Sequence, residues 1–309
     1  MSQLIFLPRI EIMPKTIFLA TPPSFSFRHT VYSHGWSDLA PFSLDEENWR
    51  LRYVFRTGRS DSPVAATISE LDGGLNIEVA RKGLDNAELV RDVRHILRLD
   101  DPLESFYRLT NGDDRLAWVA SVNAGRLLRS PTVFEDMVKT LCTTNCSWAL
   151  TKSMVRNLVE LLGDGNGETK SFPDAKALAS VSEKFFRDEI RAGYRSPYFV
   201  ELAESVASGA LDPEAWLTTD VPTSELKKSI KNVKGFGEYA ADNLLKLLGR
   251  YDGLALDSWL RSQFYKKHNR EKVCPDKKIE RHYKAYGEWK GLAIWCDMTE
   301  RWFDEKLLT

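Results

Sequence analysis

The chain has 309 residues, 43% hydrophobic and 28% charged, enough for two or three packed subdomains. A net charge of −1 argues against a strongly cationic nucleic-acid coat but leaves room for a local basic patch. The four cysteines (Cys142, Cys146, Cys274 and Cys296) form no CxxC pair, and the five histidines form no HExxH, so neither a zinc ribbon, a dithiol redox motif nor a zincin site is indicated. Free thiols in a reducing compartment are the expected state. The apolar run at residues 4–7 is broken by Pro8 and Arg9 and is too short for a signal peptide or a membrane span. A soluble intracellular protein is expected.

Strand patterns dominate the first third. In ENWRLRYVFR, the apolar Trp49, Leu51, Tyr53 and Phe55 alternate with Arg50, Arg52 and Arg56, the period of a half-buried strand. VAATISELDGGLNIEVAR reads as two strands about an Asp72-Gly73-Gly74 turn. The period then changes: Leu89, Val90, Val93, Ile96 and Leu97 recur at helical spacing. Helices are predicted from there on, in PTVFEDMVKTLC, in SWALTKSMVRNLVELLG with Gly163 as its C-cap, and in SPYFVELAESVASG. Residues 163–173 read as a loop between two helical layers. The expected fold is mainly α, with a small N-terminal antiparallel β-containing (α+β) domain over 1–115 and a helical body over 116–309.

Two stretches in that body carry chemistry. SELKKSIKNV and EYAADNLLKLLG read as helices joined by the tight turn KGFG, a hairpin over 224–249. Leu244, Leu247 and Leu248 give the second helix an apolar face. Gly235 and Gly237 permit positive φ and close backbone approach, and the turn feeds a helix N-terminus whose free N–H groups can hold a phosphate. Lys227, Lys228, Lys231 and Lys234 would add to anion binding. By itself the pattern is equally that of a plain glycine turn beside a solvated lysine face. Further on, Asp257 stands between GLAL and SWLRSQF, where an N-cap is favoured. A carboxylate fixed there can also face a sugar ring and stabilise an oxocarbenium-like transition state.

Together, Gly235-Phe236-Gly237, the following helix, and Asp257 eighteen positions after Tyr239 resemble the helix-hairpin-helix (HhH-GPD) DNA glycosylase superfamily. Three further segments resemble its branch of 3-methyladenine DNA glycosylase II and 8-oxoguanine glycosylase: LCTTNCSW (141–148), AGYRSPYF (192–199) and YGEWKGLAIWCD (286–297). The resemblance implies that Gly235 and Gly237, with Lys234, meet a DNA phosphate. It implies that the carbonyls of Lys231, Val233 and Phe236 hold a monovalent cation, Na or K, as a structural ion, with no other cofactor required. Asp257 would be the catalytic carboxylate. Asn145 would enter the gap left by a flipped nucleotide, and Tyr194 and Arg195 would wedge the duplex and contact the opposite strand. His34 and Trp36, in VYSHGWSDLAPF, would reach the base pocket beside Tyr239 and Ile294.

The departures from the family pattern narrow the expectation. Bifunctional members carry a lysine nucleophile at the position of Tyr239, so a monofunctional enzyme using water is expected. Lys234 replaces the usual proline before the first hairpin glycine. Only Cys274 and Cys296 follow Asp257, so no iron–sulfur cluster is expected. Ile294 stands where the 8-oxoguanine enzymes place a base-reading glutamine, which points instead to alkylated, electron-poor bases held by aromatic walls; Trp289, Trp295, Trp259 and Tyr239 are the candidates. The partner implied is damaged double-stranded DNA, with no membrane, met by a monomer in the cytoplasm or nucleoid of a bacterium or the nucleus of a eukaryote. The alternatives are an oxidised-base glycosylase and a non-catalytic DNA-binding protein.

Overall fold

The structure, a computed structural model, describes residues 15–56, 62–79 and 86–307, with side chains as far as residue 303. The apolar run at residues 4–7 lies outside the described residues. Five antiparallel strands form one sheet: β1 (Lys15–Ala20), β2 (Ser43–Asp45), β3 (Arg50–Phe55), β4 (Val64–Leu71) and β5 (Gly74–Val79), in the order β1-β5-β4-β3-β2. The β4–β5 hairpin turns at Asp72 and Gly73, with Gly73 at φ +74 and Leu71 paired to Gly74. β3 buries Leu51, Tyr53 and Phe55 as its alternation predicts, and Val54 as well, because its end is covered on both faces. β1 and β2 escape the sequence pattern: β1 buries only Leu19, and β2 is three residues long.

The rest is mainly helical. The helices that position the site are numbered α1 (Asn86–Ile96), α2 (Glu104–Asn111), α3 (Val133–Thr143), α4 (Trp148–Leu162), α5 (Ser196–Ala207), α6 (Thr223–Lys231), α7 (Glu238–Leu247), α8 (Ser258–His268) and α9 (Lys290–Leu307). Local chemistry sets their starts. The Thr132 hydroxyl accepts the Glu135 N–H at 3.2 Å and opens α3; the Ser147 hydroxyl accepts the Leu150 N–H at 3.3 Å and opens α4. Gly163 ends α4 without a left-handed cap. It is extended at φ −70, and glycine is needed because a Cβ would sit 2.2 Å from the Ser171 carbonyl oxygen. Residues 163–173 fold back here, and the Ser171 N–H donates to the Asp164 carbonyl at 2.9 Å.

Two apolar cores organise the molecule, and they do not divide it at 115/116. The first joins the sheet and α1 to α3, α4, α5 and α7, through residues such as Ile68, Val93, Met137, Leu158, Leu202 and Leu244. The second joins α2 to α8 and α9, through Leu103, Phe106, Leu260, Phe264 and Leu292. The boundary read from the sequence falls inside this second core, between Tyr107 and Leu116. Among the described residues, no helix is long and apolar enough to cross a membrane.

Candidate active site and hairpin

The α6–α7 hairpin is anchored by Leu226 and Ile230 on one helix and Ala240, Ala241 and Leu244 on the other, with Phe236 buried at the turn. Its two glycines differ. Gly235 is left-handed at φ +89, and a Cβ there would lie 2.8 Å from both Leu141 Cδ2 on α3 and Tyr198 Cδ2 on α5. The protein's own packing demands glycine at this position. Gly237 is extended at φ −78, and a Cβ would meet nothing within 4 Å. No side chain caps α7, so the N–H groups of its first turn face outward without a side-chain acceptor.

The lysines expected to reinforce this anion site are all ion-paired. Lys227 lies 2.6 Å from both Glu238 and Asp242, Lys228 lies 2.8 Å from Glu225, and Lys234 lies 2.6 Å from Glu201. Lys231 also pairs with Glu238, and hydrogen bonds from Lys227 and Lys231 hold the Glu238 carboxyl down to about 2. Whatever grip the turn has on an anion therefore rests on backbone N–H groups more than on free lysine charge.

A cavity of about 660 Å³ opens where the two cores meet. Asp257 lines it from the start of α8. One carboxylate oxygen accepts the Leu260 N–H at 2.6 Å, so the N-cap that the sequence suggests also fixes the carboxylate at the cavity wall. Tyr239 lines the cavity from α7. Burial, and then the Asp257 charge, push its phenol above the usual range, so it stays protonated.

His34 and Trp36 enter the cavity from the N-terminal segment. His34 Nε2 lies 2.6 Å from the Leu128 carbonyl oxygen, and burial lowers its pKa to about 4, so the ring is neutral and donates from Nε2. Trp36 donates to Asp136 at 2.8 Å. Gly35 between them lies under the Trp148 ring, where a Cβ would come within 2.9 Å. Trp259, Trp295 and Trp302 complete an aromatic wall.

Two expected wall residues lie elsewhere. Ile294 is fully buried in the second core and does not line the cavity; the next residue on α9, Trp295, does, because one helical step rotates the side chain by a quarter turn or more. Trp289 stacks between Phe106 and Tyr251, each at 5.5 Å, and is a core residue. Lys246 is among the cavity residues missed from sequence, with Trp148, Asn243 and Trp302. Lys246, on α7, is only 3% exposed and lines the cavity with its Nζ 4.8 Å from the Trp295 ring. Its signal was present: Tyr239, Asn243 and Lys246 recur at i, i+4 and i+7, a polar line within an apolar helix.

Beside the hairpin, Asn145 (left-handed at φ 46) donates to the Tyr194 hydroxyl at 3.2 Å. Both residues are exposed, and Tyr194 packs edge-on to Tyr198, which closes over Gly235. Arg195 does not share this exposure. It is 3% exposed, donates to the Thr144 hydroxyl at 3.0 Å and to the Thr144 carbonyl, and stacks over the Tyr194 ring. The use the fold shows for it is internal: one N–H each from Nε, Nη1 and Nη2 goes to Thr144 or Ala192, holding the loop that presents Asn145.

An antiparallel sheet on a helical body, with a glycine hairpin leading to an aspartate at a cavity between the two cores, defines the helix-hairpin-helix DNA-glycosylase fold. Solved structures share it along nearly the whole chain. The 3-methyladenine DNA glycosylase from Archaeoglobus fulgidus superposes with a TM-score of 0.71 at 18% identity, covering 94% of this chain and 99% of that one. The Clostridium acetobutylicum 8-oxoguanine glycosylase/lyase, solved with duplex DNA containing cytosine opposite 8-oxoguanine, gives 0.70 at 16% identity, covering 95% and 99%. In sequence, a probable N-glycosylase/DNA lyase of Methanothermobacter thermautotrophicus is 24% identical over 221 residues, spanning 63% of this chain and 69% of that protein. No protein-family model matches the chain.

Proposed function

We propose that the protein is a DNA glycosylase of base excision repair: it flips a damaged base out of duplex DNA and hydrolyses the N-glycosidic bond, leaving an abasic site. The observation that carries this reading is Asp257, fixed by its N-cap hydrogen bond at the wall of a cavity with room for a base, next to the uncapped, open N-terminus of α7. The first-turn N–H groups beside Gly237 take a phosphate. The Lys231 and Phe236 carbonyls accept no hydrogen bond among the described residues outside regular helix, and Val233 accepts one from Phe236. Carbonyl oxygens of this kind would suit a hard, oxygen-ligated monovalent cation, which would add positive charge beneath the same phosphate. Asn145 and Tyr194, projecting together, fill the space vacated by the flipped nucleotide.

At the reacting sugar, the Asp257 carboxylate stabilises the developing oxocarbenium charge and orients the attacking water. Tyr239 stands where an amine nucleophile would be needed for strand cleavage, and a protonated phenol forms no Schiff base. The reading is therefore of a monofunctional enzyme, proposed to act as a monomer. The tryptophan walls support an alkylated, electron-poor base through stacking. The buried amine of Lys246 supports a second reading, a neutral base bearing a carbonyl. The test is base release from duplexes carrying alkylated and oxidised bases, read before and after alkali, with Asp257→Asn alongside. Release that needs Asp257, with breaks only after alkali, is expected. Equal release by Asp257→Asn overturns the reading.

A further inference from the structure

Lys246 is the one cavity-lining cation among the described residues whose amine finds no hydrogen-bond partner there. Its neighbours are accounted for. Asp242 on the same helix is paired with Lys227 at 2.6 Å. Asp257 uses one oxygen on the Leu260 N–H. From α9, Cys296 is buried and its thiol pushed up to about 12, and from the N-terminal segment His34 is neutral. The Trp295 ring face, at 4.8 Å, offers the amine only a partial substitute for an acceptor. Burial lowers Lys246 to about 8, with Asp257 and Asp242 opposing the fall, so it is mainly charged at neutral pH. A buried ammonium with unused N–H groups is costly unless something else completes it. The cavity is open to a ligand.

Resting on the glycosylase reading, we propose that Lys246 selects the base: its ammonium donates a hydrogen bond to a carbonyl oxygen of the extruded base and repels bases that carry a formal positive charge. Its place on α7 fits a base reader more than a nucleophile. It is rooted seven residues beyond Tyr239, about 10 Å farther along the helix axis at ~1.5 Å per residue, and its amine lies against Trp295 on α9. The aromatic walls alone would favour a cationic alkylated base. A like charge inside the same low-dielectric cavity reverses that preference, because charge repulsion between groups a few ångströms apart is weakly screened there.

Four substrates separate the terms: duplexes holding hypoxanthine or 8-oxoguanine (neutral, with a carbonyl), duplexes holding 1,N6-ethenoadenine (neutral, without one), and methylated DNA releasing 3-methyladenine (a cation without one). The wild type is expected to release a carbonyl base fastest and 3-methyladenine slowest. Lys246→Met is expected to slow carbonyl-base release roughly ten- to a hundred-fold, the scale of one charge-assisted hydrogen bond. It should leave ethenoadenine within about threefold and speed 3-methyladenine release. Lys246→Gln, a donor without charge, should recover part of the carbonyl-base rate while keeping the gain on 3-methyladenine. It also serves as the second variant should the methionine fail to fold. The proposal is overturned if Lys246→Met slows all four bases by one factor, or if borohydride traps a wild-type DNA adduct that the variant lacks, which would make Lys246 a nucleophile. Wild-type release that survives Asp257→Asn would instead sink the glycosylase reading beneath it.

Discussion

The two hairpin glycines should fail in different ways when each is given a methyl group. At Gly235 the backbone is left-handed at φ +89, which costs an alanine about 1–2 kcal/mol. The new Cβ would also stand 2.8 Å from Leu141 and Tyr198, both on packed helices, and overpacking of this kind costs about 1–3 kcal/mol. Gly235→Ala should therefore lower stability by about 2–5 kcal/mol. At Gly237 the backbone is extended and the methyl meets nothing within 4 Å. Alanine gains from a less free unfolded chain and loses as a poorer N-cap, leaving a net change within about 1 kcal/mol of zero. The same methyl would stand where a phosphate approaches the first-turn N–H groups. Loss of one or two such bonds should weaken duplex binding roughly ten- to a hundred-fold. Denaturant unfolding and duplex titration at fixed salt, run on both variants, measure the two effects. A Gly237→Ala protein as destabilised as Gly235→Ala, or one that binds duplex DNA as tightly as the wild type, would refute the reasoning.

Asp257 should separate stability from turnover. Asn caps helices about as well as Asp, so Asp257→Asn should melt like the wild type while losing base release, whereas Asp257→Ala should also lose about 1 kcal/mol of stability, read by thermal denaturation. Arg195→Met should destabilise by about 2–3 kcal/mol by removing the guanidinium's hydrogen bonds to the Thr144 hydroxyl and carbonyl, yet leave the salt dependence of DNA binding unchanged; a slope lower by about one would show a phosphate contact instead. His34 is held neutral in the fold, with its pKa lowered from 6.5 to about 4 by burial. The unfolded chain therefore takes up a proton first as pH falls, and the stability His34 contributes is full above about 6.5 and lost toward about 4. The stability margin of the wild type over His34→Gln, measured by denaturant unfolding across that window, should shrink as pH falls; a constant margin would contradict a buried neutral ring.

Local pattern made much of this protein legible. The alternation in residues 49–55, the Asp72-Gly73 turn, the helical spacing from Leu89 to Leu97 and the Gly235-to-Asp257 interval each depend on neighbours in sequence, and each appears in the structure where the pattern sets it. The N-cap at Asp257 is local in the same sense, since its hydrogen bond spans three residues. What the sequence withheld depends on which surfaces meet across the chain. Arg195 reads as a surface cation until Thr144, fifty-one residues earlier, takes its donors. The hairpin lysines read as an anion patch until Glu201, Glu238 and Asp242 fold against them. Ile294 and Trp295 differ by one helical step, and only the docking of α9 decides which of them faces the cavity. Lys246 carried a polar mark on an apolar helix, but burial, a tryptophan from α9 and a missing acceptor together make it a site residue. Periodicity reports which side chains within a few residues share a face, so the chain by itself determined most of its elements and its hairpin. The cavity and the charge inside it arise where two separate cores close on each other, and tertiary structure alone decided them.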